Sequence, residues 1–182
     1  CIRDRPISAA GGVSADAASP KYKVQFGGMS ALMPAGAVTT DAVRHMATSG
    51  LDAVTQVPLA RWDVAALPIM PEPIASRVRH SSFLRECSLV DNAAFGVSPA
   101  ETMAMDPQQR LLLERGYAAL HGAIIAREAL GGSLAGVFLG FSVSEFTSLL
   151  AASPAGGSVY AATGTASSIA AGRTSYALGL HG

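Results

Sequence analysis

Residues 98–122 hold two helix starts back to back, and no other stretch limits the possible folds as strongly. Ser98-Pro99-Ala100-Glu101 places a hydroxyl at the cap, proline at the first helical position and glutamate at the third. The hydroxyl can accept from the Glu101 amide and the carboxylate can reach back, so a short helix is predicted to about Ala104. Asp106-Pro107-Gln108-Gln109 repeats the device with glutamine at the third position. The helix it opens spaces Leu113, Tyr117, Leu120 and Ile124 by four, three and four residues, an apolar stripe at helical period. Gly116 interrupts it at a cost of about 1 kcal/mol relative to alanine, which points to a close backbone contact.

Around this pair, strand and helix patterns alternate. Residues 22–28 read as a short strand with Val24 and Phe26 on one face, followed by a turn-rich loop to residue 36. Thr40 or Thr39 can cap a helix from Asp41 to about Ser49, and Gly50 suits its end. Residues 52–76 read mostly as loop, because Pro58, Pro68, Pro71 and Pro73 exclude regular helix. Residues 136–141 form a nearly all-apolar strand, as suits a sheet covered on both faces. Ser142-Val143-Ser144-Glu145 is a third capping-box candidate, and residues 153–158 read as loop. Thr165 is the expected cap of a helix from Ala166 to about Leu178, built mostly from small residues and ended by Gly179. The order predicts an α/β fold.

The 182 residues, 49% hydrophobic and 14% charged, are enough for one domain with a core. Thirteen basic residues balance thirteen acidic ones, so no basic excess argues for nucleic acid. An excess of Ala, Gly and Ser predicts a tightly packed interior or a shared interface. Cys1 and Cys87 are widely spaced and make neither a metal signature nor a disulfide framework, so reducing surroundings are expected. No apolar run approaches roughly 18 residues, so no membrane span is expected. Residues 1–21 read as a linker or disordered segment, and residues 22–182 as one unit. The first residue is Cys1 rather than Met, as in a processed or partial sequence.

Longer patterns then emerge. Residues 50–63 hold Asp52, Ala53, Val54, Pro58, Arg61 and Trp62, as in G-D-A-V-x-x-V-P-x-x-R-W. Phe83 and Leu84 fit G-F-L. Residues 95–114 follow F-G-I-S-P-x-E-A-x-x-M-D-P-Q-Q-R-L-L-L-E nearly throughout, and residues 136–140 follow G-V-F-x-G. Residues 160–182 follow Y-x-x-T-G-x-x-x-S-x-x-A-G-R-x-S-Y-x-L-G-L-x-G. In this order they resemble the N-terminal part of the β-ketoacyl synthase (ketosynthase) domains of modular type I polyketide synthases and fatty acid synthases.

The resemblance implies an incomplete thiolase-like fold. It also implies a reaction, the decarboxylative Claisen condensation of acyl and malonyl thioesters, an acyl transfer. In that family a cysteine thiolate attacks the donor thioester, and two histidines assist decarboxylation and stabilise the carbanion. A helix N-terminus and nearby dipoles activate such a thiol, and preorganised donors hold the oxyanion. The family places all three residues beyond Leu180-His181-Gly182, so catalytic residues are not expected in this chain, which alone is expected to be inactive. By the same resemblance Ser142 and Val143 lie near the acyl pocket, and Thr163 and Gly164 near the pocket and a dimer interface. Substrates would ride on the phosphopantetheine of an acyl carrier protein, with no cofactor of the chain's own. A homodimer in the cytoplasm is implied, with a plastid as the alternative compartment. A noncatalytic scaffold or carrier-protein-binding module is the alternative function. The family sheet draws strands from beyond Gly182, so residues 137–141 are expected to lack neighbours and to favour aggregation.

Simpler readings sit beside these. In the Asp106-to-Arg110 segment, Asp106 caps, Leu113 and Tyr117 pack, and Arg110 makes a buried or interface ion pair. Cys87 reads as a packed or surface thiol. His45, His80, His121 and His181 show no metal spacing. Gly27-Gly28 lacks a dinucleotide or P-loop pattern. Ser142 and Ser144 lack the nucleophile elbow, and helix capping is the reading for them. Ser81-Ser82 before Phe83 departs from the family's glycine pair, as Gly27–Pro34 departs from its usual opening.

Overall fold

The structure is a computed structural model that describes residues 25–181, apart from Leu67, Glu86, Ser88 and Val143. The expected linker, residues 1–21, and residues 22–24 of the expected first strand lie outside the described residues. In chain order come α1 (Thr40–Ser49), β1 (Thr55–Gln56), α2 (Ile74–Val78), β2 (His80–Ser81), α3 (Pro99–Ala104) and α4 (Pro107–Gly122). Then follow α5 (Arg127–Leu130), α6 (Phe146–Ala151), α7 (Ala161–Thr165) and α8 (Ser167–Leu178).

The caps form where the residues ask for them. Thr39 accepts from the Ala42 amide at 3.1 Å, and Gly50 ends α1 in the left-handed region. Ser98 accepts from the Glu101 amide at 3.1 Å, and Asp106 from the Gln108 amide at 2.7 Å. Neither third-position side chain closes a box, because each has a distant partner. Glu101 meets Arg173, and Gln109 meets the end of α7.

Helix α4 packs along α8. The core between and beside them holds Phe95, Met105, Leu113 and Ala177, with Val90 and Val97 against it. Met105 and Leu113 are each 1% exposed, burials that contribute about 1.5–3 kcal/mol apiece. Tyr117 meets Phe95 edge-on, with ring centroids 6.2 Å apart. Arg127 ties this layer together. Its guanidinium donates to the Ala94 carbonyl at 2.6 Å and to the Ala177 carbonyl at 2.7 Å. Two glycines set the closest approaches. A Cβ on Gly28 would lie 2.1 Å from the Ala119 carbonyl oxygen, and one on Gly164 would lie 2.0 Å from that of Ala104. Gly28 is therefore a packing glycine against α4.

Several expectations are corrected. Among the described residues the only ladder is β1 with β2, antiparallel, pairing Thr55 with Ser81 and Gln56 with His80. Residues 25–28 and 136–141 form no strand, and Phe138 is 94% exposed. Extended backbone becomes a strand only when a neighbour takes its N–H and C=O groups, and none of the described residues does so here. Ile124 leaves the α4 stripe with φ 58° and 95% exposure, because the helix stops at Gly122. Residues 52–76 are mostly loop as expected, but they include the two-residue β1, and α2 starts directly after Pro73, since proline blocks a helix interior but not the position before its start. The helix expected from Ala166 to about Leu178 forms as α8 and ends at Gly179, but a short helix not expected, α7, precedes it, separated by Ala166, whose ψ is 118°. Thr165 caps neither, as its hydroxyl donates to the Ala161 carbonyl at 3.0 Å.

Gly164→Ala should lower stability by about 2–3 kcal/mol, since backbone on both sides must shift. Gly172→Ala, in α8 with nothing within 4 Å of its Cβ, should raise stability by about 0.5–1 kcal/mol. Urea unfolding midpoints of the two variants check the pair, and equal shifts would refute the packing account. Separately, Phe138→Asn should reduce binding of a hydrophobic dye by the isolated chain without lowering its melting temperature, because so exposed a ring supports no core.

Candidate functional site

The first turn of α4 places two glutamines side by side, and each holds a different distant segment. The Asp106 cap fixes the turn. Gln108 Nε2 donates to the Ser142 carbonyl at 3.1 Å. Gln109 is 1% exposed, and its Nε2 lies 3.4, 3.0 and 3.1 Å from the carbonyl oxygens of Thr163, Gly164 and Ala166. A primary amide has two N–H donors, so it is shared over the three carbonyls. These carbonyls sit where α7 ends, and the last carbonyls of a helix have no partner within it. The Gly164 carbonyl also accepts the Asp106 backbone N–H at 2.9 Å.

The network continues on the far side of the amide. Gln109 Oε1 accepts from Arg173 Nε at 2.9 Å, and Arg173 Nη1 makes a close ion pair with the Glu101 carboxylate. The two side chains are 9% and 24% exposed. Thus α3, α4, α7 and α8 meet in one polar chain with donors matched to acceptors, an arrangement that rigidifies when fully satisfied. Burial pushes the Arg110 guanidinium below its ordinary value, while the neighbouring Asp106 and, less, the Cys87 sulfur oppose that shift.

The candidate pocket residues occupy three kinds of position. Ser142 is exposed, with its carbonyl held by Gln108. It caps no helix, because the Phe146 amide at the start of α6 donates to Ser144 Oγ at 3.1 Å. Val143 lies outside the described residues. Thr163 is exposed and its hydroxyl donates to the Tyr160 carbonyl at 3.1 Å, whereas Gly164 is buried. A cleft of about 250 Å³ beside Ser142 is walled by Leu32, Leu84, Leu111, Leu112 and Phe141, with Gln108 in its lining. Thr163 and Gly164 do not line it. A larger cleft of about 610 Å³, between Val57, Leu59, Val64, Ile69 and Val78, contains none of the candidates.

Elsewhere the motif segments pack on one another. Trp62 meets Phe83 edge-on at 6.2 Å, and Arg61 Nη2 donates to Cys87 Sγ at 3.3 Å. No cluster of three His, Cys, Asp or Glu side chains that could hold a metal exists among the described residues. Nor is any helix among them long and apolar enough to cross a membrane. The Gln109–Arg173–Glu101 network was not foreseen from the sequence. Its one signal was an amide at the third helical position, ahead of an arginine within the small-residue helix, in two segments that carry the same resemblance.

Comparison with known proteins bears on these segments. The family model described as "Beta-ketoacyl synthase, N-terminal domain" matches residues 22–182. Polyketide synthase GfsB of Streptomyces halstedii is 40% identical over 158 residues, covering 85% of this chain and 3% of that protein. The pikromycin polyketide synthase component PikAII of Streptomyces venezuelae is 38% identical over 159 residues, covering 85% of this chain and 4% of that protein. The chain therefore spans a small fraction of the relatives it matches. The solved ketosynthase from module 6 of the bacillaene synthase of Bacillus subtilis 168 superposes with a TM-score of 0.71 at 27% identity. That match covers 86% of this chain and 25% of the other.

Glu101→Ala should cost about 2 kcal/mol, because it strands the mostly buried Arg173 guanidinium. Asp41→Ala, which breaks an Arg44 pair with side chains 76% and 83% exposed, should cost about 0.5 kcal/mol or less. Thermal unfolding of both variants in the same buffer decides it, and a Glu101 effect no larger than the Asp41 effect would contradict the network's role.

Proposed function

This chain belongs to the β-ketoacyl synthase family, and on that premise we propose that it forms the N-terminal part of a condensing domain in a polyketide synthase. The domain joins an acyl group, held as a thioester on a cysteine, to a malonyl unit delivered by an acyl carrier protein. The attacking thiolate displaces the carrier thiol. The malonyl unit loses carbon dioxide, and the resulting carbanion attacks the acyl carbonyl and frees the cysteine. In this reading the thiol and the two imidazoles lie outside the 182 residues. The chain contributes acyl-pocket wall through Ser142, Val143, Thr163 and Gly164.

The observation that carries the reading is the joining of its two longest motifs. The residues 95–114 pattern and the residues 160–182 pattern meet through Gln109, Gly164 and Arg173 in a solvent-shielded network. Polyketide rather than fatty acid synthesis is supported by the named relatives, both polyketide synthase proteins of Streptomyces. The proposal extends to the carrier protein as partner, with substrates on its phosphopantetheine, and to the cytoplasm as the place of action. The proposal also includes a homodimer through this domain.

The test is condensation by the synthase that carries this chain, followed by mass spectrometry of the acyl-carrier product. Cys87→Ser in that synthase should leave kcat/KM within about twofold, since loss of a true nucleophile costs on the order of a millionfold. The isolated chain, given an acyl thioester, should show no acyl adduct on Cys87. An adduct there, or a synthase silenced by Cys87→Ser, would sink the assignment.

A further inference from the structure

We propose that Gln109, with Gln108 beside it, is a positioning residue that sets the acyl-chain selectivity of the domain by fixing two segments relative to one turn of α4. The inference rests on the reading of Ser142 and Thr163–Gly164 as walls of the acyl pocket.

Two adjacent side chains tie segments that lie far apart in sequence. Gln108 reaches 34 residues along the chain and Gln109 reaches 55 to Gly164. Both grip backbone carbonyls, so the ties do not depend on the side chains at Ser142 or Thr163. Both residues are exposed while their carbonyls are held by the first turn of α4, and the Thr163 hydroxyl bonds back to the Tyr160 carbonyl, which leaves its methyl group available. A wall that recognises a ligand needs this division, with a locked backbone and an available side chain.

The orientation of the Gln109 amide follows from its partners. Arg173 Nε donates to its oxygen at 2.9 Å, which leaves the NH₂ to face the three carbonyls. A flipped amide would set NH₂ against a guanidinium N–H and oxygen against three carbonyl oxygens. Glu101 holds Arg173 in turn, and the Gly164 backbone abuts Ala104. The turn has little freedom to drift while this chain of contacts stands.

The experiment uses the intact synthase and reads kcat/KM for a short and a long acyl thioester. Thr163→Val probes the pocket reading itself, and an unchanged short-to-long ratio in it overturns that reading and this inference together. Gln109→Glu keeps the acceptor for Arg173 but turns a carboxylate oxygen toward the three carbonyls. It is expected to shift the ratio by about tenfold at neutral pH. As the pH falls the carboxyl gains a proton, regains a donor and should return the ratio toward the wild-type value. Gln109→Leu, with no proton to regain, should show no such recovery, and Gly172→Ala should leave the ratio unchanged. If Thr163→Val moves the ratio while Gln109→Glu does not, or lowers both substrates equally at every pH, the positioning role is refuted and the pocket reading survives. Should Gln109→Glu fail to fold, Arg173→Lys, which loosens the amide without replacing it, is read in its place. An unchanged ratio there also refutes the positioning role.

Discussion

The described part of this chain depends on one buried amide. Gln109 brings side-chain donors to three carbonyls at the end of α7, and it accepts from Arg173 on the opposite side. Leaving a buried carbonyl without a donor costs about 1–3 kcal/mol, so each donor that reaches the break between α7 and α8 helps to hold it. That break in turn brings the Gly164 backbone against Ala104 and Met105 at the α3–α4 junction. The amide adds to backbone donors already there, since the Asp106 N–H reaches the Gly164 carbonyl at 2.9 Å and the Ile169 N–H reaches that of Ala166 at 3.2 Å. Apolar contact alone does not supply this, because Gly164 has no side chain to bury.

The rest of the packing follows. Helix α4 is held at its first turn by polar ties and along its length by Leu113 and Tyr117, which reach the Phe95 and Ala177 cluster. Arg127 closes the layer by donating to carbonyls from two segments. Away from this layer the chain shows much apolar surface, with Leu134 at 91% and Phe138 at 94% exposure. The apolar pattern of residues 136–141 asks for cover on both faces, and no described residue pairs with its backbone. For the proposed function this contrast matters, since the carbonyls of Ser142, Thr163 and Gly164 are tied to the first turn of α4.

Much of this was legible in the residues. Ser98, Thr39 and Asp106 announced their helices, and Gly50 and Gly179 their ends, because a cap is decided within a few positions of itself. The family was legible from the long patterns around Gln109 and Gly164. The strand expected at residues 136–141 was not realised, since a ladder belongs to two segments and the pattern of one reports only its appetite. Thr165 failed as a cap for a similar reason. A hydroxyl can cap the following helix or bond back to the preceding turn, and here it bonds back to Ala161. For the candidate site residues Ser142, Val143, Thr163 and Gly164, the pattern gave no sign of the side chains that hold the carbonyls of Ser142, Thr163 and Gly164.

What the sequence determined by itself was therefore local chemistry and kinship: where helices start and stop, which faces are apolar, and which family's motifs run through the chain. Only tertiary structure decided that the Gln109 amide and the Glu101 carboxylate turn away from their own helix starts toward partners 55 and 72 residues away. A third-position side chain can reach its own cap or a distant group at similar cost. The choice is made by which of the two is buried and unsatisfied once the helices have packed.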